Sequence, residues 1–427
     1  MLRAIVLVVL WWSMVAWAQN DELTIEITQG VEGAIPVAVV PFTGPTGLPV
    51  ELSEVVASDL ARSGRFAIPS PQSYPDRPGS LADTRYQRWR GLRVDYLVVG
   101  RIQPAAEGYR VVFQLGDVLR EDEMLNLSFS VAGNDLRRLG HEIADLVFEA
   151  ITGEPGAFNS RIAYVSALRQ PGGGTYSLVV ADSDGYNPQV VLRSTQPIMS
   201  PAWSPDANQL AYVSFENNRS QIMVQNVYSG ERRALTNFPG INGAPAWSPD
   251  GGQLAFTLSK DGNPEIYVQS LSGGAPRRLT SNTAIDTEPA WLPTGNGLIF
   301  TSDRGGEPQL YTMGLDGARP TRLTFQGDYN ADASISPTGG QLAMVHRRGG
   351  RFAIATMGLQ GGNLQVLSAG GLDESPSFAP NGTMIIYATQ QGGRGVLATV
   401  SVDGRIQQTL VSRDAHVREP AWSPKIR

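Results

Sequence analysis

Two periodicities divide the chain. Up to about residue 156 apolar residues recur with both helical and extended spacing, whereas beyond residue 160 the helical spacing disappears. In the first part "LTIEIT" (23–28), "IPVAVVPF" (35–42), "DYLVVGRI" (95–102), "YRVVFQL" (109–115) and "LNLSFSV" (125–131) read as strands. The stretch "ELSEVVASDLARSG" (51–64) sets Leu52, Val55, Val56 and Leu60 on one helical face and stops at Gly64. A second helix is expected to start at Asn134 as its N-cap and to bury Leu136, Leu139, Ile143, Leu146 and Val147. His141 falls off that stripe and is expected on the solvent side. This order of elements predicts a small α/β domain over residues 19–156.

The second part is a repeat. Trp203, Trp247, Trp291, Ile335, Phe378 and Trp422 stand in "AWSP", "AWSP", "AWLP", "SISP", "SFAP" and "AWSP", at spacings of 44, 44, 44, 43 and 44 residues. One unit shows why. "AW" (246–247) ends a short strand, "SPDG" (248–251) supplies the residues of a type I turn, and "QLAFTLS" (253–259) alternates large and small residues as a second strand. "EIYVQSL" (265–271) and "RRLT" (277–280) complete four strands per period. No such unit can bury both its faces, so neighbours must stack, and the period is that of propeller blades. Second-strand motifs begin at "IAYV" (162) and recur to "IIYA" (385), giving six; the terminal "PAWSP" (420–424) is then expected to complete the blade begun at residue 162. The fold class is therefore an α/β N-terminal domain followed by a six-bladed all-β propeller, residues 160–427, closed by the C-terminal strand.

Composition narrows the chemistry. Zero Cys removes thiol catalysis, disulfides and Cys-ligated metal, and only three His remain. A net charge of -6 without a basic run gives no reason to expect nucleic acid. The opening "MLRAIVLVVLWWSMVAWAQN" has Arg3, an apolar run too short to span a bilayer, and Ala16-Trp17-Ala18, so residues 1–18 are expected to be a signal peptide, with no direct membrane insertion of the mature chain. No G-x-S-x-G, H-E-x-x-H or Walker A motif is present, and neither catalytic residues nor a cofactor are expected.

The inter-blade connections carry the candidate site. Three residues before each Trp-type position stand Ser200, Ala244, Glu288, Asp332, Ser375 and Glu419, beside Met199, Thr287, Asp286, Asp373 and Glu374. Placed by symmetry around one channel mouth, these acids suit a basic or hydrogen-bond-rich peptide loop. An alternative is an exported propeller enzyme whose axial metal is held by Asp286, Glu288, Asp332, Asp373, Glu374 and Glu419.

The N-terminal "LTIEITQGVEG…PVAVVPF", the "AWSPDG" blades, "TEPAW" and "LDESPSFAPNGTMIIYAT" together resemble the TolB family of the Tol-Pal system of Gram-negative bacteria, over the whole mature chain. The resemblance implies a non-enzymatic periplasmic scaffold that supports outer-membrane integrity and constriction during division. It implies binding of the lipoprotein Pal at the channel mouth through Met199, Ser200, Ile241, Asn242, Ala244, Thr287, Glu288, Asp332, Asp373, Glu374 and Glu419. It also implies that TolA binds the segment 22–33, through Glu22, Leu23, Thr24, Ile25, Glu26, Ile27, Gly30, Val31 and Gly33, and that colicin translocation peptides can use the same mouth. Ile241 departs from the family pattern, which has a histidine there; the exchange removes a titratable, hydrogen-bonding group.

Overall fold

The computed structural model describes residues 23–29, 33–170, 173–317, 319–412 and 414–426. The expected signal peptide, 1–18, lies outside them. No helix among the described residues is long and apolar enough to cross a membrane.

The chain starts with β1 (Thr24–Gln29), then builds a sheet from β2 (Ile35–Val39), β3 (Phe66–Ala67), β4 (Tyr96–Ala105), β5 (Gly108–Asp117) and β6 (Asp122–Val131), in the order β3-β2-β4-β5-β6. β2 is parallel to β3 and β4, and the remaining pairs are antiparallel. Alternation assigns the two faces. Val37, Val39, Val98 and Ile102 face the helices α1 (Leu52–Arg62) and α3 (Leu136–Thr152), whereas Ala38, Val40, Leu97 and Val99 face Trp89 of the short α2 (Tyr86–Gly91). α1 and α3 pack so closely that a Cβ on Gly140 would meet Val55 Cγ1 at 2.8 Å.

Two local expectations are corrected. Asn134 does not cap α3: it lies in a 3-10 turn, Gly133–Asp135, and Asp135 takes the N-cap position without a side-chain cap bond. His141 is buried rather than solvated, because α3 is covered on a second side by the propeller.

Six sheets of the predicted pattern form the ring. Blade 1 joins His416–Trp422 to Arg161–Gln170, Gly173–Asp182 and Gln189–Ser194, so the C-terminal strand does close the ring. Blades 2 to 6 start with the inner strands Ile198–Trp203, Asn242–Trp247, Asp286–Trp291, Tyr329–Ile335 and Glu374–Phe378. Cores form between blades: Ile222 and Val224 of blade 2 pack with Trp247, Leu254 and Phe256 of blade 3. The repeated Trp also ties neighbours covalently distant but adjacent in space. The indole N–H of Trp203, Trp247 and Trp291 donates to the carbonyl of Ala421, Ala202 and Ala246 respectively, each at 3.0–3.1 Å.

β1 leaves its own domain and pairs antiparallel with the outer strand Gln407–Val411 of blade 6, Thr24 opposite Val411 and Ile27 opposite Gln408. Leu23 is buried in the core between blades 6 and 1, against Leu410, Tyr164 and Gly185. A second junction lies between α1, α3 and the Asp182–Tyr186 turn of blade 1. There His141 Nδ1 meets Asp59 Oδ2 at 2.6 Å, Arg62 Nε donates to Asp59 Oδ1 at 3.1 Å, and Arg137 bonds both Asp182 and Asp184 while its guanidinium covers the Tyr186 ring. Three acids face three cations, so the buried charge is balanced.

Candidate functional site

Each inner strand is broken at the same place. Register shifts occur at Met199/Ala202, Gly243/Ala246, Thr287/Ala290, Ala331/Ser334, Glu374/Ser377 and Arg418/Ala421. At every break one non-glycine residue is left-handed: Ser200 (φ 49°), Ala244 (48°), Glu288 (53°), Asp332 (53°), Ser375 (54°) and Glu419 (50°). Such a bulge re-aims a side chain out of the pleat. Here the six residues line one cavity of about 1000 Å³ along the propeller axis. The strain is of order 1–2 kcal/mol per residue, and its sixfold recurrence makes it part of the architecture rather than an accident of one loop.

The acids on these bulges bridge blades. Glu288 Oε2 accepts from Thr301 Oγ1 at 2.8 Å and from the Asp332 backbone N–H at 2.9 Å. Glu419 Oε2 accepts from the Ser200 N–H of the next blade, and Asp332 from Ser375. Burial pushes the carboxyl groups of Glu288, Glu374 and Glu419 up from their ordinary range. Asp332 is pushed well above it, by burial first and then by repulsion from Glu288, Glu419 and Glu374. The mouth thus holds carboxyl groups that favour the arrival of positive charge or a hydrogen-bond donor.

The structure sorts the other expected residues into two groups. Met199, Ile241 and Glu374 are exposed and Thr287 is half-buried, and Met199 and Glu374 line the axial cavity. Asn242 and Asp373 are buried and committed to their own loops. The Asn242 carboxamide bonds the Phe238 N–H and carbonyl, and Asp373 accepts from Ser368 and Thr389. Asp286 is likewise buried, held by Asn282 and a two-pronged Arg304 contact. Of the apolar positions that precede the bulges, the sequence reading singled out Met199 and Ile241 and missed the rest. Three residues before the bulge the repeat carries Ile241, Ile285, Tyr329 and Leu372, of which Ile241, Ile285 and Leu372 are about half exposed, and Tyr329 and Leu372 line the axial cavity. The same period that located the acids would have located these positions.

Of the N-terminal candidates, Glu22, Gly30 and Val31 lie outside the described residues. Leu23 is buried, Thr24 is exposed, and Thr24, Ile25, Glu26 and Ile27 carry the backbone register with blade 6; Gly33 sits in a turn at φ 89°.

Among the described residues the group with metal-holding spacing is Asp59, His141 and Asp184, whose ligand atoms lie within 4.8 Å of one another. It stands at the domain junction, not in the channel, and Arg62 and Arg137 already engage Asp59 and Asp184.

Comparison with known proteins agrees with this architecture. The model of the TolB amino-terminal domain matches residues 23–124, and that of the TolB beta propeller domain matches residues 148–426. The Tol-Pal system protein TolB of Methylococcus capsulatus is 51% identical over 223 residues, 52% of this chain and 53% of that protein. That of Nitrosococcus oceani is 51% identical over 225 residues, 52% of each. The alignments thus span about half the length of these curated relatives. The crystal structure of TolB from Acinetobacter baumannii superposes with a TM-score of 0.88 at 42% identity, covering 95% of this chain and 100% of that one. A putative TolB from Agrobacterium tumefaciens, at 21% identity and a TM-score of 0.51, shares the fold over 62% of this chain and 93% of that one. With both domains matched in order, and a crystallised relative aligned along nearly the whole chain, this chain belongs to the TolB family.

Proposed function

We propose that the protein is a non-enzymatic periplasmic scaffold of a Tol-Pal system, seating Pal at the channel mouth and TolA on the segment 22–33, and supporting outer-membrane integrity and constriction during division. The observation that carries this reading is the ring of six left-handed bulges that aims Ser200, Ala244, Glu288, Asp332, Ser375 and Glu419 into one axial cavity under an exposed apolar rim. A concave acidic floor with apolar residues above it fits a protein loop or helix end better than a small substrate. The rigid ring lowers the ordering cost of binding. Met199, Ile241, Thr287 and Glu374 would touch the partner, while Asn242 and Asp373 would hold the loops in shape. The curated relatives, each a Tol-Pal system protein TolB, support the choice of partner system.

The backbone pairing of β1 with blade 6 supplies a docked state for the TolA-binding segment. A partner that binds the mouth and favours one state of β1 would shift the other partner's affinity by the same factor. Calorimetric titration of residues 19–427 with the soluble domain of the same organism's Pal tests the reading. Saturable binding that weakens when Glu288 and Asp332 are both changed to Ala is expected; no binding by either form overturns it.

A further inference from the structure

Away from the channel, a cleft of about 360 Å³ lies between the N-terminal domain and blade 6. Its walls are apolar: Phe148, Phe158, Ala379, Met384, Ile406 and Leu410. Polar tethers frame it and keep it from collapsing. Asn381 Nδ2 donates to the Pro155 carbonyl at 2.9 Å, the Gln408 side chain donates to the Arg62 carbonyl, and Arg62 bonds the backbone and hydroxyl of Ser183.

The guanidinium groups at the edge of this cleft are only loosely matched by the protein itself. Arg65 and Arg405 stand at its edge, 44% and 72% exposed, and their nearest acids, Glu154 at 3.9 Å and Asp403 at 3.7 Å, are beyond hydrogen-bond distance. Both guanidinium groups therefore keep free donors for a planar anion, the geometry in which arginine holds a carboxylate. The third arginine, Arg62, is already engaged by Asp59.

The geometry points to a ligand site here for a single-chain carboxylate amphiphile, its tail between the domains and its carboxylate on Arg65 and Arg405. A cleft of about 360 Å³ falls at the small end of ligand pockets, about 300–1,000 Å³, so a medium-chain acid such as decanoate is a matching size.

Titration of the full protein with decanoate, octanoate, hexanoate and decanol, all below micelle formation, tests this. One-to-one saturable binding of decanoate is expected, about fourfold weaker for each methylene removed. Decanol, and decanoate with the Arg65→Gln/Arg405→Gln variant, are each expected to bind about tenfold more weakly, the loss of one charge-assisted hydrogen bond. Both arginines are surface groups, so the variant folds. Absence of saturable binding overturns the inference, as does affinity indifferent to chain length or to the two arginines.

Discussion

Changing His141 to Gln removes one of three cations from the junction between α1, α3 and blade 1. The ring is 3% exposed, bonds Asp59 through Nδ1, and holds Nε2 3.8 Å from Asp182 Oδ2. Burial alone would lower its pKa, but the charge of Asp59, the hydrogen bond to it and the nearby carboxylates of Asp182 and Asp184 overcome it, and the group is pushed up to about 10. Asp59, which burial would raise, is instead held below its ordinary range by His141 and Arg62. Glutamine can keep one hydrogen bond to Asp59 but carries no charge. Breaking one side of a buried ion pair costs about 3–5 kcal/mol, and the part of Asp59 still paired with Arg62 places the expected cost at the lower end. The pH dependence follows from the sign of the shift. A raised histidine pKa contributes stability that is complete below about 6.5 and is lost as pH climbs toward 10, at up to about 1.4 kcal/mol per unit. Urea unfolding followed at pH 6, 7, 8, 9 and 9.5 is the assay, with near-ultraviolet signals resolving the N-terminal domain from the ring. The wild type should lose stability steadily above pH 7, and His141→Gln should be weaker at pH 6 and nearly flat over the same range. A wild type as flat as the variant would refute the charged-histidine junction.

Three further outcomes are expected. Asp332→Asn removes a repelled carboxyl while keeping an acceptor for Ser375; because the raised pKa makes stability fall as pH rises above about 4, the variant should melt higher than wild type at pH 7, and a lower melting point would contradict this. Trp291→Phe should cost about 1 kcal/mol through the lost bond to the Ala246 carbonyl, plus packing, in chemical unfolding, whereas Phe378, which already occupies the equivalent place in blade 6, should tolerate Trp poorly or gain nothing. Deleting residues 19–33 should speed amide exchange in 407–411 and leave blades 3 and 4 unchanged, since β1 pairs with blade 6 alone.

What was legible in the sequence was what local chemistry decides. The Trp spacing, the "SPDG" turns and the strand alternation specify blades, because each depends on residues within one period, and the same spacing put Glu288, Asp332 and Glu419 at one mouth. The bulges were not legible. Five of the six left-handed residues precede proline, which biases its predecessor toward extended backbone; in the folded ring Ser200 and Glu419 nevertheless sit at positive φ, at the register shifts of their inner strands. His141 was misjudged for a related reason: a helical stripe counts one buried face, and the second face of α3 is created by blade 1, 40 residues further along the chain. The seat of Leu23 between blades 6 and 1 likewise depends on a contact nearly 390 residues distant, with Leu410. Nor did the buried polar residues Asn242 and Asp373 differ in sequence from surface loop residues; Asn242 is buried against the carbonyls of its own loop, and Asp373 by the hydroxyls of Ser368 and Thr389.

The central claim is that one face of the ring, the channel mouth, is where Pal binds. Hydrogen exchange of the mature protein, with and without the soluble domain of its Pal, tests it most directly. The account predicts protection concentrated in the rim and bulge segments 238–244, 282–288, 325–332 and 372–375, with the strands of the opposite face unchanged. Protection confined to the N-terminal domain or to the outer blade edges, with these four segments unaltered, would contradict it.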